Sequence, residues 1–199
     1  MVPGTFPLKL PEPQTDGKFS VERALFERKS MRKYRDEKLT LKQLSQILWA
    51  CQGRNKYGRR CAPSAGASYP LEICVVAGNV EGLMAGVYRY EQQSNSLALL
   101  TEGDLRQPLS VACIGQTWIA KAAFSIVMCA KYEKTTGPYG ERGAKYVHMD
   151  VGCAMENIHL QATALELGTV FVGAFKDEEV KRLLKLKEEP LAIAPVGKA

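Results

Sequence analysis

Apolar positions along the 199-residue chain fall into two periods, and each predicts its own set of elements. Leu41, Leu44, Ile47, Leu48 and Cys51 recur at helical spacing, so Leu41–Gln52 is expected as a helix with Thr40 as its cap and Gly53 as its stop. A shorter helix is expected from Val21 to about Arg28 behind Ser20. Leu71–Ala77 and Phe124–Ala130 are continuous apolar runs with β-branched residues, the pattern of buried strands. Gly86–Tyr90 and Ser96–Thr101 predict a hairpin turning through Gln92–Asn95, and Asp104 starts a helix to about Ile114. Gly140 to Leu167 holds no proline and reads as one long helix ended by Gly168, with Val147, Val151, Ala154, Ile158 and Ala162 along its buried side. Thr169–Val172 is expected as a short strand, Asp177–Lys185 as a capped amphipathic helix and Leu191–Val196 as the last strand. This mixture is α+β or mixed α/β: a central sheet with helices packed on it, no internal repeat and no second domain.

Residues 1–18 carry Pro3, Pro7, Pro11 and Pro13 and read as an extended N-terminal arm, leaving 19–199 as the single domain. Hydrophobic content of 46% is enough for a real core, and 24% charged residues make disorder a poor reading. The net charge of +6 does not point to nucleic acid, because the cations are spread over Arg28–Arg35, Arg54–Arg60 and Lys176–Lys187. Most of them read as solvated faces, although some could hold an anionic ligand. The cysteines at 51, 61, 74, 113, 129 and 153 form no Cys-x-x-Cys pair and no metal-ligand spacing with the histidines, so no metal is expected. No signal peptide and no bilayer-length apolar run is read, which predicts a cytoplasmic chain with free thiols and no membrane partner.

Three segments have residue types suited to chemistry. Arg28-Lys29-Ser30-Met31-Arg32 puts cations and a hydroxyl within five residues, as a phosphate clamp or a charged helix end would. Ala62-Pro63-Ser64-Ala65-Gly66-Ala67-Ser68-Tyr69-Pro70 is a turn of small residues that leaves backbone amides accessible to a flat ligand, or simply an ordinary turn. Val172-Gly173-Ala174-Phe175, echoed by Pro195-Val196-Gly197-Lys198, places glycine at strand exits, where backbone can approach a ligand closely.

In their order and spacing these segments, with Tyr139-Gly140-Glu141-Arg142-Gly143-Ala144-Lys145-Tyr146, resemble the nitroreductase family of flavoproteins. The nearer resemblance is to its SagB-type branch, which includes azoline dehydrogenases. It extends from about Val21 to Lys198 and implies an α+β fold with a mostly antiparallel sheet and an interlocked homodimer. Two FMN sites would then be built from both chains. Residue by residue, it puts Arg28, Lys29, Ser30 and Arg32 around the FMN phosphate, ribityl chain and pyrimidine edge. It brings Pro63, Ser64, Ala65 and Gly66 from the partner subunit, sets Gly173 and Ala174 against the reactive edge, and lets Lys198 reach the phosphate. The chain departs from the branch at Asp150, Cys153 and Glu156, where Glu, His and Gln are common.

The resemblance implies NADH or NADPH as the reductant of FMN and a small nitro, quinone or related acceptor. The alternatives are an azoline-type peptide dehydrogenase, or a flavin-binding sensor or carrier without turnover. Lys145 and Tyr146 match the Lys-Tyr pair of the azoline dehydrogenases, yet neighbouring helical residues diverge, so Tyr146 beside the flavin and Lys145 at the surface is the simpler arrangement. His148 and His159 read as structural histidines, and Trp49 and Trp118 as core or interface.

Overall fold

The computed structural model describes residues 7–199. Leu8–Lys9 (β1) pairs with a strand later in the chain, and Leu10 is buried, so this much of the expected arm lies against the chain's own sheet. Ser20 accepts a hydrogen bond from the Arg23 amide at 3.2 Å and starts Val21–Glu27 (α1). Leu41–Gln52 (α2) begins on a full capping box, Thr40 and Gln43 satisfying each other's amides, and ends at Gly53, as its pattern predicts. Leu71–Ala77 (β2), Gly86–Glu91 (β3) and Ser96–Glu102 (β4) follow.

The predicted helix at Asp104 is Arg106–Ala112 (α3). Asp104 stays outside it and accepts from the Arg106 amide and guanidinium. Trp118–Lys121 (α4) leads into Phe124–Ala130 (β5). The long helix is two pieces, Glu133–Tyr139 (α5) and Arg142–Ala164 (α6), broken at Gly140, whose φ is 58°. Its end is Leu165, not Gly168: Glu166 turns the chain at φ 55°, and Gly168 lies inside Leu167–Thr169 (β6). The expected strand Thr169–Val172 is correspondingly earlier, with only Val172 bridging to Ile193. Asp177–Leu184 (α7) starts where expected, but the Lys176 side chain at its cap bonds Glu179 and caps none of the first-turn amides. Its first turn relies instead on Asp177, Glu178 and Glu179 facing the helix dipole. Glu189–Lys198 (β7) is longer than predicted because its C-terminal end pairs with β6.

All pairings in the 7-stranded sheet are antiparallel, in the order β1-β4-β3-β2-β5-β7-β6. The fold is therefore α+β. Alternate residues of the central strands serve two cores. Ile73, Val75, Ile126 and Met128 join Leu44, Ile47, Leu48, Val151 and Ile158 of α2 and α6 on one face. Cys74, Val76, Val127 and Cys129 join Leu109, Ile119, Val180 and Leu184 of α3, α4 and α7 on the other. A strand covered on both faces has no polar side, so β2 and β5 read as unbroken apolar runs. The predicted inner line of α6, Val147 through Ala162, is buried throughout.

Candidate active site

After α1 the chain crosses one end of the sheet as an extended segment. Ser30 forms a parallel bridge with Thr169, and the Met31 amide donates to the Thr169 carbonyl at 2.8 Å. The Arg35 amide donates to the Lys198 carbonyl at 2.9 Å, and the Tyr34 hydroxyl to Met31 and Pro195 carbonyls. This crossing is possible because the strands beneath it carry glycine. A Cβ at Gly168 would sit 2.8 Å from Met31 Cβ, and one at Gly197 would sit 2.8 Å from the Tyr34 ring. Gly197, expected to face a ligand at a strand exit, instead lies within β7 under Tyr34.

The crossing brings Arg28, Lys29, Ser30, Arg32 and Lys198 to the same end of the sheet. None of their cations is in an ion pair among the described residues. Lys29, Ser30 and Arg32 are exposed, whereas Arg28 is half-buried with its Nε shielded from solvent and without a hydrogen-bond partner. Thr169 Oγ1, beside Ser30, is orphaned in the same way. A buried donor without an acceptor costs about 1–3 kcal/mol, so the pair marks a place where an anion's oxygens would be held favourably. These residues fit a phosphate.

At the opposite end lies the small-residue turn. Gly66, Ala67 and Tyr69 have φ of 55°, 54° and 46°, and for the two non-glycine residues this is a strained conformation costing on the order of 1 kcal/mol or more each. Local bonds hold it: Ser64 Oγ accepts from the Tyr69 amide at 3.0 Å, and Ser68 Oγ bonds Thr135 Oγ1 at 2.9 Å. Any side chain at Gly66 would run into the Tyr139 hydroxyl. Tyr139 in turn meets Tyr146 edge-to-face, with ring centroids 5.2 Å apart, and Arg142 lies 5.7 Å from the Tyr146 centroid. Lys145 is exposed.

Asp150, four residues after Tyr146 on the same side of α6, is 6% exposed with Oδ2 unpartnered. Burial pushes its carboxyl upward, opposed by the Ser64 hydroxyl and the Ala65 amide beside it. Asp150 was legible only as a departure from the branch pattern; its grip on the turn depends on tertiary packing. A carboxyl raised by folding binds more protons in the native than in the unfolded chain, so it subtracts stability as pH rises through its native pKa. Asp150→Asn keeps an acceptor for Ser64 and Ala65 and removes that cost. Thermal unfolding of the variant is expected to gain on wild type as pH rises from 4 to 8; a Tm difference that stays constant with pH would contradict this.

Gly173 and Ala174 are exposed just beyond the Val172–Ile193 pair, and among the described residues their amides donate no hydrogen bond. Ala174 is oriented from behind, its carbonyl accepting from Gln116 Nε2 at 2.7 Å. His148, on the surface, pairs through Nε2 with the Tyr132 hydroxyl at 2.6 Å, and His159 is buried, with desolvation lowering its pKa. Trp49 and Trp118 are half-buried, Trp49 Nε1 donating to the Arg54 carbonyl. No cluster of metal-ligating side chains occurs among the described residues, and no helix there is long and apolar enough to cross a membrane.

Comparison with known proteins identifies the family of this fold. Residues 25–198 match the model of the nitroreductase family. The chain is 42% identical to "Putative nitroreductase MJ1384" of Methanocaldococcus jannaschii over 195 residues, covering 98% of this chain and 97% of that protein. It is 30% identical to the microcin B17-processing protein McbC of Escherichia coli over 141 residues, 67% of this chain but only 51% of McbC. Among solved structures, one from Ralstonia eutropha JMP134, named like the archaeal protein, superposes with a TM-score of 0.84 at 29% identity, covering 96% of this chain and 89% of that one. A chain of the E. coli microcin synthetase McbBCD complex, with truncated pro-MccB17 bound, gives a TM-score of 0.74 at 25% identity over 88% of this chain and 72% of that one.

Proposed function

Since the chain belongs to the nitroreductase family, as an oxidoreductase with relatives in the McbC-like branch, we propose that it is an FMN-dependent enzyme. It would take electrons from NADH or NADPH, pass them to a small nitro, quinone or related acceptor, and work as a homodimer. The observation that carries this reading is the clamp of Arg28, Lys29, Ser30, Arg32 and Lys198, whose cations have no ion pair among the described residues, together with the orphaned Arg28 Nε and the orphaned Thr169 Oγ1 next to Ser30.

Bound FMN would supply two-electron chemistry, accepting and donating hydride at its ring. The chain's own residues would bind and orient it. Arg28, Lys29, Arg32 and Lys198 would neutralise the phosphate, with Ser30 donating to an oxygen, and the free amides of Gly173 and Ala174 would face the ring edge. The turn Pro63-Ser64-Ala65-Gly66 would cover the ring, held in its strained shape by Ser68, Thr135 and Asp150.

The turn comes to that ring from a second chain. Within one chain it precedes Leu71, whose neighbours across the sheet are Ala130 and Glu189, while the clamp sits at the end marked by Ala77, Phe124 and Val196. Seven strand residues separate the two ends, roughly 20 Å. Val21, Leu25 and Phe26 of α1 are 63%, 55% and 90% exposed, and Met149 of α6 is 57% exposed. Exposed apolar side chains on α1, just before the clamp, and at Met149, beside Asp150 near the turn, suit burial in a dimer.

Reconstitution tests the reading: protein mixed with FMN and freed of excess is expected to keep the flavin and to be bleached by a reduced nicotinamide under anaerobic conditions. Protein that retains no FMN would refute it. A second reading, an azoline-type dehydrogenase with Tyr146 as base, is favoured by the likeness to McbC and by Tyr146 lying against Tyr139 over the turn. Tyr146→Phe separates the two. Our reading expects quinone reduction to stay within about twofold of wild type, because flavin hydride transfer needs no protein acid. A base role predicts that azoline oxidation falls by roughly 10²-fold or more.

A further inference from the structure

The flavin-site reading leaves one strongly charged feature unused, the hairpin from Arg54 to Arg60 that precedes the Pro63 turn. Arg54 and Arg60 form an antiparallel bridge, and Asn55 builds the loop between them. Its backbone amide donates to the Arg59 carbonyl at 2.7 Å, and its Oδ1 accepts from the Tyr57 and Arg59 amides at 3.0 and 3.1 Å. Its Nδ2 donates to the Arg60 carbonyl at 3.2 Å. Trp49 Nε1 fixes the root through the Arg54 carbonyl at 2.9 Å. The loop is thus preorganised by a single asparagine rather than by packing.

Its charges are free. No acid occurs between Gln52 and Gly66, and among the described residues none of Arg54, Lys56, Arg59 or Arg60 is in an ion pair. Arg60 turns inward, bonding Gln52 and lying 5.2 Å over the Tyr69 ring, which couples the hairpin to the flavin turn. The other three cations are exposed. The Arg54 guanidinium reaches over Gly58, and the Lys56 ammonium sits 4.9 Å from the Tyr57 centroid, so two charged heads gather at adjacent tip positions. Tyr57 is 74% exposed, with the Lys56 ammonium over its ring.

Two cations without a carboxylate partner at an exposed ring suit one chemical group, a nucleotide carrying an extra phosphate: the ring stacks on the base while the cations take the dianion. Arg60 is three residues from Pro63, which keeps the root of the hairpin within roughly 11 Å of the turn. Resting on the flavin-enzyme reading, we propose that Arg54, Lys56 and Tyr57 form the adenosine 2′-phosphate site, making NADPH rather than NADH the preferred reductant.

The test uses the flavin-loaded protein and the variants Arg54→Gln/Lys56→Gln and Asn55→Ala. In wild type, kcat/KM is expected to favour NADPH over NADH, and the double variant to cut that ratio at least about tenfold through KM for NADPH, with NADH unchanged. Asn55→Ala, which keeps every charge but loosens the loop, should cut it less. Calorimetry with 2′,5′-ADP and 5′-AMP gives a readout independent of turnover: wild type should bind 2′,5′-ADP more tightly, and the double variant should bind both alike. Flavin-loaded protein that shows no nicotinamide preference, or a preference that survives in the double variant, overturns the assignment of this site. Protein that takes up no FMN instead removes the enzyme reading, and the calorimetric comparison then decides the nucleotide site alone.

Discussion

Replacing Arg28 and Arg32 together by Ala is expected to weaken FMN binding by at least about 100-fold. A hydrogen bond to a charged group contributes roughly 1.5–3 kcal/mol, and the pair would forfeit two or more on the same phosphate. The fold should be little affected, because Arg32 is exposed and the Arg28 guanidinium makes no ion pair among the described residues. Removing Arg28 also abolishes an orphaned buried Nε, so the variant without flavin should unfold at or slightly above the wild-type temperature. Fluorescence titration of FMN into flavin-free protein reads the first effect and calorimetric unfolding the second. Unchanged FMN affinity would move the phosphate elsewhere.

Co-expressing that variant with Gly66→Val is expected to restore flavin that neither variant retains alone. Gly66 sits at φ 55°, where a β-branched residue is strained, and its new side chain would strike Tyr139, so the turn should be displaced. If each site takes its clamp from one chain and its turn from the other, a mixed dimer carries one intact site and one doubly damaged site. Random pairing then recovers about a quarter of the wild-type flavin in a two-fold symmetric dimer. Were clamp and turn of the same chain to form the site, mixing would recover none.

Local pattern determined much of this fold directly. The α2 helix and the β2 and β5 strands have their predicted limits, because each is marked by caps or by an unbroken apolar run that packing has no reason to change. Where the prediction slipped, long-range contacts decided. Gly168 looked like a helix stop, yet it lies in β6 because Met31 must cross above it. The α5 helix, containing Gly137 and Pro138, has little intrinsic propensity and is held through Thr135 and the packing of Gly143 against its backbone. Strand order is likewise absent from any local window, as β7 sits between β5 and β6 through pairings distant in sequence.

The candidate site divides in the same manner. The residue types of the clamp and the turn were legible, since a phosphate demands cations and a flat ligand demands small side chains. A glycine at a strand exit suggests a face toward a ligand, whereas the space at Gly197 is taken by Tyr34, a contact visible only once the segment after α1 is laid across the sheet. The burial of Asp150 against Ser64, and the freedom of the charges at Arg54 and Lys56, are also properties of assembled neighbours.

The central claim is a flavin held between two chains, and native mass spectrometry of the FMN-reconstituted protein, alongside its visible spectrum, tests it most directly. A yellow dimer carrying an FMN for each chain is the predicted result. A monomer that holds FMN, or a dimer that holds none, would contradict the claim.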